Sequence, residues 1–149
     1  MANPDAVGTE GTPFELVVER GKIREFATAT YSTNPDYLDR KDAVAPPTFL
    51  TTTLLWQPPE GNPWKAVELD GKRGLHAEQR YEFFGPPPKA GTRLTCTSRI
   101  ADVHTKQGRR GGEMTFAIMT TDFHDETGQL VARATMTGVE TARPTTEAS

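Results

Sequence analysis

An α+β fold, in which one antiparallel sheet wraps a single buried helix, is predicted by three observations. The first is residues 45–56, the most apolar stretch of an otherwise polar chain, bracketed by Pro46-Pro47 and Pro58-Pro59. The second is the region from residue 75 to residue 140, where apolar side chains recur at every second position, the period of a strand. The third is the turn chemistry between those segments: Gly85-Pro86-Pro87-Pro88, Gly108-Arg109-Arg110-Gly111-Gly112 and Asp125-Glu126-Thr127-Gly128. Long strands in succession need one apolar element to cover their dry face.

Each element follows from its residues. Residues 1–12 are polar with glycines and read as a loose arm. Residues 13–19, with Phe14, Leu16, Val17 and Val18, read as a first strand. Ile23, Phe26, Ala27 and Thr30 then fall at i, i+3, i+4 and i+7, one face of a short helix. Residues 31–44 are irregular, with Asn34-Pro35-Asp36 as turn chemistry.

In the apolar stretch, Phe49, Leu50, Thr53 and Leu54 recur at helical spacing. Proline is tolerated in a first helical turn and stops a helix beyond its end, so a helix from Pro47 to Trp56 is expected, with Phe49 and Leu54 buried. Thr51, Thr52 and Thr53 are β-branched and lower helix propensity, so tertiary burial must hold such a helix. A buried strand is the alternative that the threonines would suit. Residues 57–74, rich in proline and glycine, form a long loop for which Trp64 is the natural pin. Among the strands, Leu94, Cys96, Ser98 and Ile100 share one face, and Met114, Phe116, Ile118 and Thr120 alternate with Thr115, Ala117, Met119 and Thr121. Residues 130–140 are the last strand and 141–149 a polar tail.

The 149 residues fit one domain, with flexible ends at about residues 1–12 and 141–149. A net charge of -3 with scattered basic residues argues against a nucleic-acid surface, which needs a basic stripe. The single cysteine, Cys96, allows no internal disulfide and fits a reducing compartment; its place in a strand pattern points to packing. The first residues lack the basic and then apolar segments of a signal peptide, and no run approaches the roughly 20 apolar residues of a membrane span. A cytoplasmic protein without membrane or nucleic-acid partner is the expectation. The 3 histidines, His76, His104 and His124, show no metal-ligand spacing, and the last two, flanking hairpins, are expected to be exposed.

Several segments, taken in order and spacing, carry a family resemblance. They are Lys22-Ile23-Arg24-Glu25-Phe26-Ala27, Asn34-Pro35, Ala45-Pro46-Pro47-Thr48-Phe49, Leu75-His76-Ala77-Glu78-Gln79, Pro88-Lys89-Ala90-Gly91-Thr92-Arg93-Leu94, and the glycine–arginine turn at 108–112 with Thr115-Phe116. Together they resemble the MaoC-like dehydratase family, in particular its fatty-acid-synthase-like N-terminal dehydratase domains, over roughly residues 7–141. The resemblance implies a hot-dog fold, a long antiparallel sheet wrapped around a central helix. Two such folds pair sheet to sheet, and an acyl-CoA or acyl-carrier thioester lies where they meet. The implied reaction is reversible addition of water across a 2-enoyl thioester, without a cofactor. The resemblance assigns Asn34, Pro47, Thr48, Phe49, Leu50 and Thr53 to the acyl pocket. It offers Arg109 and Arg110 for a CoA phosphate, although a solvated hairpin tip is the more ordinary account of two arginines between glycines.

The chemistry tests that reading. Hydration needs a base to deprotonate water and an acid to protonate the α-carbon. Active relatives carry both on Asp-x-Asn-Pro-x-His, just before the central helix. Here the stretch reads Ser32-Thr33-Asn34-Pro35-Asp36-Tyr37, so Ser32 stands for the aspartate and Tyr37 for the histidine. A serine hydroxyl is a very poor base, and an unperturbed tyrosine has a pKa near about 10. Three fallback candidates remain: Asp36, one position before the family's histidine, and the pair His76 and Glu78, which two-residue spacing puts on one strand face. Turn capping explains Asp36, and an edge or interface position explains His76. Met114, Met119 and Met136 suit either an adaptable acyl groove or ordinary core packing.

The sequence therefore points to a non-catalytic, acyl-pocket-forming subunit of a heteromeric MaoC-like hydratase, its partner carrying the catalytic motif. A free-standing homodimeric hydratase or thioesterase and a thioester-binding module without catalysis are the alternatives. Tyr81, Phe83 and Phe84 put more aromatic surface on one strand than a wet strand exposes, so part of that strand is expected at a subunit interface of a hetero- or homo-oligomer.

Overall fold

The computed structural model describes residues 2–108 and 112–143. Five strands, β1 (Phe14–Val17), β2 (Gly74–Phe83), β3 (Arg93–Gln107), β4 (Glu113–His124) and β5 (Leu130–Glu140), form one antiparallel sheet in the order β1-β3-β4-β5-β2. The strict alternation in β4 sets its faces: Thr115, Ala117, Met119, Thr121 and Phe123 are buried, and the residues between them half-buried. Leu94, Cys96, Ser98 and Ile100 of β3 lie on the same inner face, as their spacing predicts. Gly128 takes a φ of 83° in the turn before β5, a conformation that favours glycine. Two bulges, after Ile100 and after His76, shift the register of β3 and β2.

The inner face is covered in two halves. One half packs against α1 (Arg20–Ala29), which buries Ile23 and Ala27, and against Phe49 and Leu50; Phe26 meets Phe49 edge-on at 5.7 Å. The other half packs against Val67, Trp64 and the N-terminal residues Ala2 and Ala6. Cys96 is fully buried, and burial pushes its thiol up to about 12, so it packs rather than reacts.

Several expectations need correction. The central helix is a 3-10 segment, Phe49–Leu55, rather than an α-helix beginning at Pro47. Its bonds close three-residue turns, Thr51 N to the Thr48 carbonyl at 3.1 Å and Trp56 N to the Thr53 carbonyl at 3.0 Å. At three residues per turn Leu50 and Thr53 eclipse one another, and Leu54 is swung off their face. Phe49, Leu50 and Thr53 are accordingly buried while Leu54 is 65% exposed, against the expectation that it would be buried. The N-terminal arm is not loose. A 3-10 turn, Pro4–Ala6, is capped by Asn3, and the arm runs along β3, with Gly8 N bonded to the Ile100 carbonyl at 2.9 Å and Gly11 N to the Ser98 carbonyl at 2.8 Å. The long loop is ordered too, through the 3-10 turns Pro59–Gly61 and Pro63–Val67. Its end is tied down by buried Glu140, which accepts from Arg73 at 2.6 Å and from Asp70 N at 3.1 Å. His104 and His124 are half-buried rather than exposed; His104 stacks on Phe116 and lies 2.7 Å from the Asp102 carboxylate.

Candidate functional site

Asn34-Pro35 does form the expected turn, and its hydrogen bonds show what the flanking residues do. Proline at the first helical position and the Asn34 side chain, which accepts from Asp36 N at 3.0 Å, start a single helical turn, α2 (Pro35–Leu38). Ser32 Oγ accepts from Asn34 N at 3.3 Å, so its hydroxyl braces the turn. Tyr37 is half-buried and packs against the core of α1 and Phe49. Asp36 is exposed, with Arg40 at 3.8 Å. None of these four lines the cavity described next.

That cavity, of about 180 Å³, lies between the 3-10 segment and the inner face of the sheet. The segment contributes Leu50, Thr51, Thr53 and Leu54, and Gln57 follows it. The inner faces of β4 and β5 contribute Met119, Thr121, Phe123, Ala134 and Met136, and β2 contributes His76, Gln79 and Tyr81. The cavity exists because the segment is short: beyond it the inner face of β2 is bare, and His76 and Gln79 are exposed. Burial pushes the Tyr81 phenol up, partly offset by its hydrogen bond with Thr51.

Of the residues assigned to an acyl pocket, Leu50 and Thr53 line the cavity. Phe49 is core beneath it, Pro47 and Thr48 are exposed before the segment, and Asn34 caps its turn. Arg109 and Arg110 lie outside the described residues. The pair His76 and Glu78 is a correction: the bulge at Ala77 places His76 opposite Gly138 and Glu78 opposite Thr137. Gly138 and Thr137 are consecutive, so the two side chains stand on opposite faces and form no acid–base pair. His76 alone turns to the cavity. Met119 and Met136 reach it, whereas Met114 stands on the other face of the sheet. Sequence reasoning missed Gln57 and Gln79; the first follows the helical period into a proline-rich loop, and the second shares the inner face only because of the bulge. Among the described residues no group of three histidine, cysteine or acidic side chains is placed to hold a metal, and no helix is long and apolar enough to cross a membrane.

Residues 5–134 match the model of the FAS1-like dehydratase domain region. The chain belongs to this family. A UPF0336 protein of Streptomyces griseus is 36% identical over 125 residues, 78% of this chain and 79% of the relative. One from Parafrankia is 33% identical over 146 residues, 89% of this chain and 90% of the relative. Among solved structures, a chain of the HadBC (3R-hydroxyacyl-ACP dehydratase) complex of Mycobacterium tuberculosis superposes with a TM-score of 0.71 at 23% identity, over 91% of this chain and 97% of that one. A chain of the ChsH1-ChsH2 complex of the same organism gives 0.72 at 16%, over 98% and 90%. A MaoC-like dehydratase gives 0.75 at 23%, over 91% of this chain and 42% of that one. The fold of this FAS1-like dehydratase region is thus the α+β hot-dog of the MaoC-like dehydratases, with its central helix reduced to Phe49–Leu55.

Proposed function

We propose that this chain is the non-catalytic, acyl-pocket-forming subunit of a heteromeric MaoC-like enoyl-thioester hydratase or 3-hydroxyacyl dehydratase. One observation carries the reading: the Asn34-Pro35 turn is intact, but Ser32 braces its backbone and half-buried Tyr37 packs its ring against the core, with neither side chain bordering the cavity. Neither side chain has the chemistry to take a proton from water or to deliver one to carbon near neutral pH. The partner supplies both groups. Its base activates water for attack on the β-carbon, and its acid protonates the α-carbon. This chain holds the acyl tail, through Leu50, Thr53, Leu54, Met119, Phe123 and Met136. An acyl-CoA or acyl-carrier thioester of fatty-acid or steroid type is the substrate, in the cytoplasm, and the chemistry calls for no cofactor.

The partner's seat is the free edge of β2 and the ground beside it. Leu54 and Leu55 are 65% and 76% exposed, and Leu75 and Phe84 about half exposed. An unpaired edge beside this much apolar surface is what a sheet-to-sheet partner would cover. Heteromeric assembly of HadBC and ChsH1-ChsH2, whose chains share this fold, supports the reading.

The test is co-expression with a MaoC-like subunit that carries the intact Asp-x-Asn-Pro-x-His motif, sought first in the neighbouring reading frame, then a 2-enoyl-CoA hydration assay on each purified species. Activity is expected in the complex and absent from this chain alone. One observation favours a free-standing homodimeric hydratase or thioesterase instead: His76 borders the cavity. Robust turnover by this chain alone, abolished by His76→Ala, would establish that alternative and overturn the first reading.

A further inference from the structure

We propose that Met119, with Met136 beside it, sets the length of the acyl tail, and that the tail held by this subunit is a straight alkyl chain of medium length. The inference rests on the acyl-pocket reading above and names the substrate class. Exposure along the inner face of the sheet shows how the cavity is closed. Its wall is exposed at His76 and Gln79 on the edge strand β2, half-buried at Met136 on β5, and buried at Met119, Thr121 and Phe123 on β4. The mouth therefore lies over β2 and the closed end over β4. Two inter-strand steps separate them, a depth of about 10 Å.

Three side chains meet a tail at the closed end, and they differ in how far they can yield. Phe123 is fully buried in the core under α1, and Thr121 is tied to Ser98 by a 2.8 Å hydrogen bond. Met119 is unbranched and flexible. It pairs with Met136 across β4 and β5, and Met136 pairs with Gln79 on β2, so the two methionines form one row across the sheet. In the next row stand Ala117 and Gly138, small enough to let Trp64 down onto the sheet. The methionine row is thus a partition, with the cavity on one side and Val67, Ala117 and Trp64 on the other. Trimming it would lengthen the cavity into apolar ground. The closed end and its size also choose the ligand. Its one hydroxyl, on Thr121, is already spent on Ser98, so the end offers apolar contact, while the polar His76 and Gln79 stand at the mouth. At about 180 Å³ the cavity slightly exceeds the roughly 150 Å³ that takes up benzene, so it admits an alkyl chain but no fused ring system. Of the fatty-acid and steroid types, the cavity favours the first.

The experiment is calorimetric titration of the full chain, alone and in complex with a MaoC-like subunit that carries the intact motif. The probes are butyryl-, hexanoyl-, octanoyl-, decanoyl-, lauroyl- and palmitoyl-CoA, the steroid thioester cholanoyl-CoA, and free CoA. Affinity should climb up to about fourfold with each methylene buried and level off at octanoyl- or decanoyl-CoA. Met119→Ala removes the side chain beyond Cβ and should move that levelling-off point to acyl chains longer by about two to four carbons. Urea midpoints show first that the variant folds. Met136→Ala, at a half-buried position in the same row, should act in the same direction and carries the test if Met119→Ala does not fold. An unchanged levelling-off point in the folded variant overturns this inference and leaves the acyl pocket standing. So does affinity that keeps climbing to palmitoyl-CoA in the parent chain, or cholanoyl-CoA binding more tightly than every straight chain. Failure of every acyl-CoA to bind more tightly than free CoA, alone and in the complex, overturns the acyl-pocket reading and this inference with it.

Discussion

Trp64 lies directly on Gly138: a Cβ added to that glycine would stand 2.7 Å from Cζ2 and 2.8 Å from Cη2 of the indole. Gly138 sits on the inner face of β5, opposite Ala117 on one side and His76 on the other. The missing side chain lets the long loop press onto the sheet and bring Val67 into a small core with Ala2, Ala6, Ile100 and Met119. Met119 and Met136 belong both to that core and to the cavity wall, so the seating of Trp64 also supports one end of the cavity.

Gly138→Ala should therefore destabilise the protein by about 1–3 kcal/mol, as an overpacked core position does, and red-shift the tryptophan emission as the indole is lifted. Urea titration followed by fluorescence reads both. Unchanged stability together with unchanged emission would mean that Trp64 is not seated there.

The 3-10 segment makes a paired prediction. Phe49→Ala removes a fully buried aromatic and should cost roughly 3–5 kcal/mol. Leu54→Ala, at a residue 65% exposed, should cost under about 1 kcal/mol in the isolated chain. Comparable losses at both positions would instead place both on one buried α-helical face.

The sequence reached some of this and not the rest, for identifiable reasons. Leu130–Glu140 could be bounded to the residue because a glycine turn precedes it and a polar tail follows it. Phe49, Leu50 and Thr53 announced a buried element but not its pitch, since their spacing suits 3.6 and 3.0 residues per turn alike; only Leu54 separates the two, through its exposure. His76 and Glu78 misled because a bulge adds one residue without altering the sequence spacing. The N-terminal arm docks through Ala2 and Ala6, small side chains that carry no sequence signal, onto Val67 far along the chain. At the cavity, Met119 and Met136 were named together with Met114, as groove or core alike, and only the first two border it. Gln57 was not named, because its place depends on where a proline-rich loop leaves the segment.

Tyr31 gives a prediction of the opposite sign. It follows α1 with a φ of 56° and is 94% exposed, so an aromatic residue occupies a left-handed position with no packing to offset the strain. Tyr31→Gly should raise stability by about 1 kcal/mol, measured by denaturant midpoint. A decrease would show that the tyrosine is held by contacts that its exposure does not suggest.

Stability should also fall in acid through Asp122. Arg133 donates to both carboxylate oxygens, at 2.5 and 2.8 Å, and holds the carboxyl below the usual carboxylate range, with burial opposing. In the unfolded chain the same carboxyl titrates near about 3.9, so between the two values the unfolded state binds more protons. The contribution is complete above that value and is lost as pH falls through the lower, folded one. Asp122→Asn should lower stability at about pH 7 and flatten its decline below about pH 4, read from urea midpoints across pH. An acid decline as steep in the variant as in the parent would remove Asp122 from the account.

The last prediction separates structure from chemistry at the motif. In the active complex, Ser32→Ala and Tyr37→Phe should each leave kcat within a few-fold. Ser32 loses only a 3.3 Å hydrogen bond that braces the turn, and Tyr37 keeps the ring that packs against the core. A group that moves a proton in the reaction would instead lose about 10²–10⁴ in rate. Leu54→Trp acts on a different quantity. Leu54 borders the cavity and is largely exposed in the isolated chain, and since it also lies where the partner is proposed to sit, gel filtration first checks that the variant still assembles. It should narrow the cavity and shift kcat/KM toward shorter acyl chains, by roughly 1–3 kcal/mol per methylene excluded. A chain-length series run on the complex with each variant tells the two roles apart. Ser32 or Tyr37 variants that lose about 10²-fold or more at every length, with Leu54→Trp indifferent to length, would assign proton transfer to this subunit and place the acyl tail elsewhere.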